Sequence, residues 1–586
     1  MKTRIYSFQN VSLNNLTVFF LLLLFSMKTH YAQEVDTLKT EVVNIVKPYS
    51  PSISDAIKIK ETSLLIDNTN TPKKEVTYSI FSVPVASTFN PAKGKATNLE
   101  NIIPVPFYDN YAFFGIGNYT NMIAEISSNF ETGNSENLSF FFTHRSSQGG
   151  IKNIYLDDQF YNSQLELNYT SNQKEINYAL NAKFKHQLYN WYGLNNLFDF
   201  ASPELINSID SRQIYYNGKV GGVLQMDDFY LEKVAASFGF TTDRYSSSEF
   251  NFKAYSEFSL NTLDIPVKID MDINFLNGKF SKNYSNVMGI DYGFFNVGIL
   301  PSYDFNYEQL FLSVGLAGYF SSDIKNSKST FYAYPKIKGT YRFANEQFAA
   351  YAGLEGGLKQ NSYDNFKEDN PYLSPTLSIK PTSELYNGFA GLKGELTNSV
   401  IFNVKVSYAK EDDKALLILN DYKGQAVGLE AYEYGNSFTV VYDKLRTVSF
   451  FGELIFNLSD IFNIELNSTF YSYDMSKELK AWNLPKFETT IIADIRFNEN
   501  IYGGASLFYV GKRSDLINSS INPLNSEILT LDSYFDLNLK LGYRCNKKLT
   551  ISIKGANLLG NNYQKWANYK VQGAQGMLGA SYKFDW

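Results

Sequence analysis

The sequence predicts an all-β fold: a transmembrane antiparallel β-barrel of about 22 strands, preceded by an irregular N-terminal segment. Three observations support this prediction. Apolar and polar residues alternate over many segments of about 9 to 13 residues, and the connections between them alternate between short and long. After residue 32, no stretch approaches the roughly 18 continuous apolar residues of a spanning helix. A chain that crosses a membrane without such a helix must cross it with strands that close into a barrel.

Residues 1–32 are interpreted as a secretory signal peptide. Lys2 and Arg4 give it a positive start, an apolar run follows at 18–25, and Ala32 supplies a small residue before the cleavage site. No cysteine lies near that site, which argues against a lipoprotein anchor. We therefore expect an exported protein, and the barrel prediction places it in the cell outer membrane.

Residues 33–108 form the predicted irregular segment. They contain seven of the 16 prolines, and proline at that density interrupts the hydrogen-bond ladder of a sheet. Two proline-stiffened apolar patches, 81–89 and 102–109, suit contact with a wall better than exposure to water. We expect this segment to lie inside the lumen, with inward-folded loops or a capping partner protein as the alternatives.

The predicted barrel, residues 109–586, is defined by two-residue alternation. In the segment VKIDMDINF, apolar residues from Val267 to Phe275 alternate with polar residues that include Asp270 and Asp272. Successive side chains of a strand point to opposite faces, so one face is apolar and the other polar. A soluble sandwich has the same period. The number and length of the segments favour the barrel, in which Asp270 and Asp272 line the lumen.

The connections predict which end of each strand faces outward. Outer-membrane barrels carry short turns at the periplasmic end and long loops at the outer end.

We expect the aromatic link 189–200 either to pack among the loops and the upper aromatic girdle or to present a ligand-stacking surface. The pair Lys512–Arg513 is expected at the lipid headgroups. Short turns are predicted at 171–175, 225–228, 261–264, 344–347, 397–400, 457–460, 498–501 and 546–548, and longer links near 188–211, 276–288, 360–384, 411–436, 513–531 and 558–574.

The last strand alternates up to the final residue of the chain. Its apolar face is formed by Leu578, Ala580, Tyr582, Phe584 and Trp586. Because an open strand edge in lipid leaves backbone groups unpaired, this strand is expected to pair with the first one and close the barrel. The aromatic stripe also resembles the C-terminal insertion signal that the barrel-assembly machinery of the outer membrane recognises.

The composition argues against catalysis, metal binding and nucleic-acid binding. The formal net charge is −6, so no basic field attracts nucleic acid. Cys545 is the single cysteine and the chain has three histidines, which leaves little material for a metal site or a catalytic triad. No nucleophile with a base and no Gly-rich phosphate loop is evident. We predict no enzyme activity, no catalytic residue, no metal site and no cofactor.

The last hundred residues resemble the end of TonB-dependent receptors, the 22-stranded active transporters of the outer membrane. The most typical piece is GANLLGNNY, Gly555 to Tyr563, where an Asn-Leu pair leaves a strand and a tyrosine follows. The stretches 484–497, 501–515 and 533–563 and the closing GASYKF carry the rest of the likeness. The abundance of Asn, Tyr and Phe resembles proteins of the Bacteroidetes phylum. The resemblance implies a barrel that imports a solute.

One departure from that family concerns the N-terminal segment. TonB-dependent receptors carry a plug domain of more than a hundred residues inside the barrel, and the roughly 60 residues available here are too few for one. Thr40, Glu41, Val42 and Val43 faintly resemble a segment that contacts TonB, and the alternative is an ordinary strand-prone tail. The resemblance therefore implies a barrel without a recognisable plug.

Two functions remain open at the level of the sequence. The first is passage of a solute across the outer membrane. The second is a non-transporting structural or accessory barrel in an outer-membrane assembly or secretion complex. The partners expected are outer-membrane lipids, the barrel-assembly machinery during insertion, and either TonB or a surface lipoprotein.

Overall fold

The computed structural model describes residues 108–585, except 174, 228, 263–264, 344–346, 425–427, 460 and 518–526. The signal peptide, the proline-rich segment up to residue 107 and Trp586 lie outside the described residues. Within the described part, no helix has the length and the apolar character needed to cross a membrane.

A closed antiparallel barrel of 22 strands forms the body of the protein, which confirms the predicted fold class and strand number. The barrel strands are β1 Asn110–Gly117, β2 Met122–Gly133, β3 Glu136–Ser147, β4 Phe160–Asn172, β5 Ile176–Asn190, β6 Arg212–Met226, β7 Leu231–Asp243, β8 Ser248–Thr262, β9 Ile265–Phe280, β10 Ile290–Tyr307, β11 Leu310–Asp323, β12 Lys328–Arg342, β13 Phe348–Lys359, β14 Thr382–Thr397, β15 Val400–Leu419, β16 Phe438–Ser459, β17 Phe462–Met475, β18 Phe487–Arg496, β19 Ile501–Val510, β22 Tyr534–Arg544, β23 Leu549–Ala556 and β26 Gln575–Phe584.

The remaining elements belong to the long connections at one end of the barrel. Two small hairpins pair β20 Arg513–Ile517 with β21 Glu527–Leu531, and β24 Gln564–Trp566 with β25 Tyr569–Lys570. Two short helices, α1 Pro203–Ser208 and α2 Tyr363–Asp369, and two 3₁₀ turns, Asn196–Phe200 and Ala431–Glu433, complete the described elements.

The first and last strands close the barrel. β1 pairs with β26 in antiparallel register, with Ile116 opposite Leu578 and Ala112 opposite Tyr582. β19 pairs with β22, and β23 pairs with β26, because a small hairpin is inserted in the chain between the two strands of each pair. All other neighbouring barrel strands pair in the order of the chain. This closure pairs the backbone N–H and C=O groups of the two edge strands, which lipid cannot hydrogen-bond.

The two faces of the wall follow the predicted alternation. Outward side chains form an exposed apolar band that includes Val220, Leu316 and Leu578, each at least 56% exposed. Such a band is the surface that lipid tails cover in a transmembrane barrel. On β9 the other face points into the lumen, where Asn274 is buried and the Asp272 carboxylate accepts a 3.5 Å hydrogen bond from the Tyr319 hydroxyl.

The long connections all lie at one end, as the sequence predicts, and the opposite end has short connections only; the end with the long connections also holds the short ones 118–121, 244–247 and 324–327. The end with short connections also holds the start of β1 and the end of β26, and it therefore holds residue 108. Two predicted links are partly wrong. β15 runs through the predicted link residues 411–419 and pairs with β16 up to Leu419. β9 runs through the predicted link residues 276–280 and pairs with β10 up to Phe280. The link 476–486 between β17 and β18 is absent from the predicted long set.

Candidate functional site: the loop cap

The long connections meet at one end of the barrel in a single buried aromatic cluster, which we call the loop cap. The loop cap comprises the described residues of 148–159, 191–211, 244–247, 281–289, 360–381, 420–437, 511–533 and 557–574. Its fully buried side chains include Trp191, Tyr363, Tyr432 and Tyr569. Aromatic rings supply much buried area at each position, so loops of this composition can pack as a core of their own.

Contacts within the cap join connections that leave the wall at well-separated strands. The rings of Tyr372 and Tyr569 stack with their centroids 3.7 Å apart. The Tyr192 hydroxyl donates a 2.9 Å hydrogen bond to the Lys570 carbonyl, and the Asn436 amide donates one of 2.8 Å to the Trp191 carbonyl. The loops therefore bridge across the mouth rather than standing apart around its rim.

The helix α2 fixes the cap to the barrel wall through Glu249 on β8. The Glu249 carboxylate accepts hydrogen bonds from the backbone N–H of Tyr363 at 2.7 Å and of Asp364 at 3.1 Å. The Tyr292 hydroxyl donates a third, at 2.8 Å. A carboxylate at the start of a helix satisfies N–H groups that have no partner within the helix. Because Glu249 is 2% exposed, this anchor lies out of contact with water.

A second wall carboxylate and a cluster of charges hold the rest of α2. The Tyr363 hydroxyl donates to Asp243 at 2.8 Å. Lys367 is 3% exposed and contacts Glu368 at 3.0 Å and the Gln187 side chain at 3.2 Å. Burial raises the pKa of Glu368, but the ammonium groups of Lys367 and Lys185 outweigh burial and lower that pKa to about 2. Near neutral pH, Glu368 is therefore ionised while the cap is docked.

Asp515 on β20 joins the cap to two neighbouring segments. It is fully buried and accepts hydrogen bonds from the backbone N–H of Leu419 at 3.1 Å and from the Asn483 amide at 2.9 Å. Burial raises the pKa of Asp515 to about 6. The end of β15, the connection 476–486 and the hairpin of β20 are thus held by one carboxylate.

Two sequence expectations about the loops are decided here. The link 189–200 packs within the cap, since Trp191 is 0% and Tyr192 is 4% exposed, and it presents no ligand-stacking surface at these two rings. The expectation that Arg513 lies at the headgroups is wrong. Its guanidinium is buried, donates to the backbone carbonyls of Gln564 and Lys565, and lies over the Tyr534 ring.

The predicted insertion-signal residues that the structure describes lie on the outer wall, away from the cap. Leu578 and Tyr582 are exposed on the outer face of β26, with Ala580 between them and Phe584 at the end of the strand. Trp586 and the four residues Thr40, Glu41, Val42 and Val43 lie outside the described residues. In the described part of the chain, no group of three or more His, Cys, Asp and Glu side chains is placed to hold a metal ion.

Comparisons with known proteins give the fold of the chain but no family membership. No protein-family model matches the sequence, and no curated protein matches it significantly. The FrpB iron transporter of Neisseria meningitidis is similar, with a TM-score of 0.61 and 11% identity over 81% of each chain. FpvA of P. aeruginosa, solved with bound pyoverdines, has a TM-score of 0.60 and 13% identity over 81% of this chain and 72% of its own. The ferric-catecholate import receptor Fiu of E. coli K12 has a TM-score of 0.58 and 11% identity over 82% of each chain.

These structures confirm the resemblance to the 22-stranded barrel of TonB-dependent receptors at the level of the fold. By their names they are transporters and receptors rather than enzymes. Since identities of this size establish fold and not activity, the function must be argued from the site. The site itself is an obstruction: a packed cap across the mouth of a wide barrel.

Proposed function

We propose that this protein mediates the gated passage of a solute across the outer membrane and that the loop cap is its gate. The observation that carries the proposal is the attachment of α2 to Glu249 and Asp243 on the barrel wall. A helix held inside a lumen by a few buried polar contacts can be released when those contacts are exchanged for others. The names of the structurally similar proteins, which include transporters and import receptors, support the same reading.

The N-terminal residues complete this proposal. Residues 1–32 direct export and are removed. The barrel-assembly machinery recognises the outward-facing apolar residues of β26 and inserts the barrel. The segment 33–108 enters the lumen from the end with short connections, because residue 108 lies there. Within it, Thr40 to Val43 contact TonB, and a surface lipoprotein delivers solute at the opposite end.

A second candidate function is an accessory barrel whose pore stays shut. The observation that favours it is the extent of the cap, whose aromatic core and buried hydrogen bonds resemble a permanent domain core. The two functions differ in one measurable property. A gate opens when its wall contact is weakened, whereas a permanent seal loses stability without conducting.

The experiment compares two neutral substitutions on the same strand. Glu249→Gln removes the charge and turns one acceptor oxygen into a donor that faces a backbone N–H. We expect this change to weaken the docking of α2 by about 2 kcal/mol, which is more than a tenfold gain in the open population. The matched control is Glu257→Gln, because Glu257 lies on the same face of β8 and pairs with Lys233 at 3.6 Å without touching the cap.

The readout is single-channel current of the purified protein in planar lipid bilayers. E249Q should show frequent channel openings, whereas the wild type and E257Q should stay closed and conduct no current. Open channels of equal current in all three proteins would mean that the cap is not the barrier. An E249Q protein that stays silent but unfolds at a lower temperature supports the permanent seal.

A further inference from the structure

A free strand edge lies on β12, at the outer end of the barrel. On one side, β12 pairs with β11 from Lys328 to Tyr341. On its other side, the pairing with β13 covers only Lys336 to Arg342. No residue that the structure describes forms a ladder with this second side of residues 328–335. The upper half of one wall strand therefore lacks a neighbour.

The backbone of this stretch directs hydrogen-bonding groups to the open side. Just below β12, the Phe343 N–H donates a 2.9 Å hydrogen bond to the Phe348 carbonyl of β13. Successive residues of an antiparallel strand direct their N–H and C=O groups to alternate sides. The register of β12 with β11 has no bulge, so the alternation continues along the strand. Ser329, Phe331 and Ala333 therefore direct their N–H and C=O groups to the side where β13 is missing.

Two local features end the ladder between β12 and β13. Pro335 belongs to the same odd-numbered set, and proline has no N–H to donate to the β13 side. The register of β13 with β14 shifts between Glu355 and Gly357, and above this shift β13 pairs with β14 alone. A Cβ at Gly357 would meet no atom within 4 Å, so the space that it faces is open. On the lumen side, the hydroxyls of Tyr334 on β12 and Ser383 on β14 share a hydrogen bond of 2.8 Å.

The side chains of the free edge are exposed on the outer surface of the barrel. Phe331 is 80% exposed, and Ser329 and Ala333 are also exposed, on the same face as the outward Ile337. A tilted strand crosses the apolar core of a membrane with about 9 to 11 residues, which, counted from Arg342, is reached at about Ala333. Phe331 and Ser329 thus lie at the level of the lipid headgroups or above. A protein outside the cell can reach them there.

The sequence of the edge lacks the usual protection against pairing. Free edges of natural sheets are commonly blunted by charged side chains, proline or a bulge. Between Lys328 and Pro335 the chain reads STFYAY, which has no charge and no proline and is rich in aromatic and β-branched residues. Such residues favour strands, and a six-residue edge of this composition pairs with other extended segments.

We propose that residues 329–334 bind an extended segment of a protein partner at the cell surface, which adds a strand to the barrel wall. Ser329, Phe331 and Ala333 are spaced by two residues, about 7 Å, which fits the groups of an extended peptide and not a lipid chain. A second copy in the same membrane does not fit. Strands tilt by about 35–45°, so the facing walls of two copies cross at roughly twice that angle. The inference rests on the surface partner of the proposed function and names where that partner binds.

The test is hydrogen–deuterium exchange of single backbone amides in three preparations of the full-length protein. These are native outer membranes, protein purified in detergent, and purified protein in vesicles of outer-membrane lipids. The Phe331 and Ala333 amides should exchange at least about tenfold more slowly in native membranes than in the other two, because only native membranes contain the partner. The Tyr332 N–H points to β11 and should exchange slowly in all three. Slow exchange of Phe331 and Ala333 in the lipid vesicles would assign the edge to lipid or to a second copy. That result, or fast exchange in native membranes, overturns the proposal.

Two substitutions at one position separate the backbone from the side chain. Phe331→Pro removes the N–H on the open side and leaves the bonds to β11 in place, whereas Phe331→Ala keeps that N–H. In native membranes, the Ala333 amide should lose its protection in F331P and keep it in F331A. Equal protection in the two variants, or equal loss, overturns strand pairing. Ser329→Pro repeats the test at the outer end of the edge if F331P folds poorly.

These measurements do not depend on opening of the cap. Exchange at the β12 edge is read in proteins whose α2 contacts are unchanged, and the conductance of E249Q is read in bilayers without a partner. Failure of the strand site and failure of the gate are therefore distinguishable.

Discussion

At the scale of single residues, buried carboxylates decide how the loops are held. Glu249 and Asp443 each accept backbone N–H groups from a connection, and Asp515 accepts the N–H of Leu419 at the end of β15. Asp443 receives those of Ser476, Lys477 and Glu478 at 3.1, 2.7 and 2.8 Å. Hydrogen bonds to charged acceptors are about twice as strong as neutral ones. A loop with little regular structure can therefore dock in one position.

Asp515 leads to a prediction on pH. Its pKa of about 6 in the docked cap lies above the value of 3.8 for a free side chain. A group whose pKa is raised on docking stabilises the docked state fully below pH 3.8, and this contribution is lost as pH rises through about 6. We expect the cap to be tighter at pH 4.5 than at pH 7.5, by on the order of 2 kcal/mol. Acrylamide quenching of tryptophan fluorescence measures this difference, since Trp191 and Trp482 are buried in or beside the cap.

The control for this prediction is a second aspartate on the same connection. Asp515→Asn should reduce the difference in quenching between the two pH values, because it removes one of the buried carboxylates that hold the cap. Asp532→Asn should retain it, because the Asp532 side chain is 87% exposed. A quenching difference in D515N as large as that of the wild type would show that Asp515 does not contribute.

At the scale of elements, the strands could be predicted and the contacts of the loops could not. Alternation is a local property, so the segment 267–275 reveals its two faces without knowledge of its neighbours. Glu249 and Glu257 are indistinguishable in the sequence of β8, since both are acidic residues on the lumen side. Glu249 differs from Glu257 only because α2, which lies more than a hundred residues later in the chain, donates its N-terminal N–H groups to the Glu249 carboxylate. Ser362 caps α2 by accepting from Asn365 N–H, a local signal that indicates a helix but not its docking place.

The same limit explains the error at Arg513. The sequence shows a Lys-Arg pair next to a strand, which is typical of headgroup contacts. The carbonyls of Gln564 and Lys565 that accept from Arg513 come from a hairpin some fifty residues later in the chain. Pairing between loops distant in sequence leaves no periodic pattern.

The strand β26 carries a prediction on assembly. Tyr582→Ala removes an aromatic side chain from the outward stripe, opposite Ala112 and Leu549, without touching the lumen. We expect a several-fold lower yield of folded protein in the outer membrane, because the stripe resembles the signal read during insertion. The measurement is the heat-modifiable band on gels of outer-membrane fractions. Ser581→Ala, on the inner face of the same strand, is the control, and an equal loss in both variants would contradict a role for the stripe.

At the scale of the whole molecule, the barrel has two openings with different structures. The loop cap closes one end, and residue 108 lies at the other end. A lumen enclosed by 22 strands is wider than that of conducting porins of about 16 to 18 strands. Its permeability is therefore set by what occupies it and not by the wall.

If residues 33–108 lie in the lumen, they and the cap are two barriers in series. Deletion of residues 34–105 alone should then change the current little, because the cap still limits it. The same deletion in the E249Q protein should give larger single-channel currents than E249Q alone, since both barriers are weakened. The measurement is unitary conductance in planar bilayers for the four combinations of the two changes. Equal unitary currents with and without the segment in the E249Q background would place residues 34–105 outside the conduction path and leave the cap as the barrier that sets permeability.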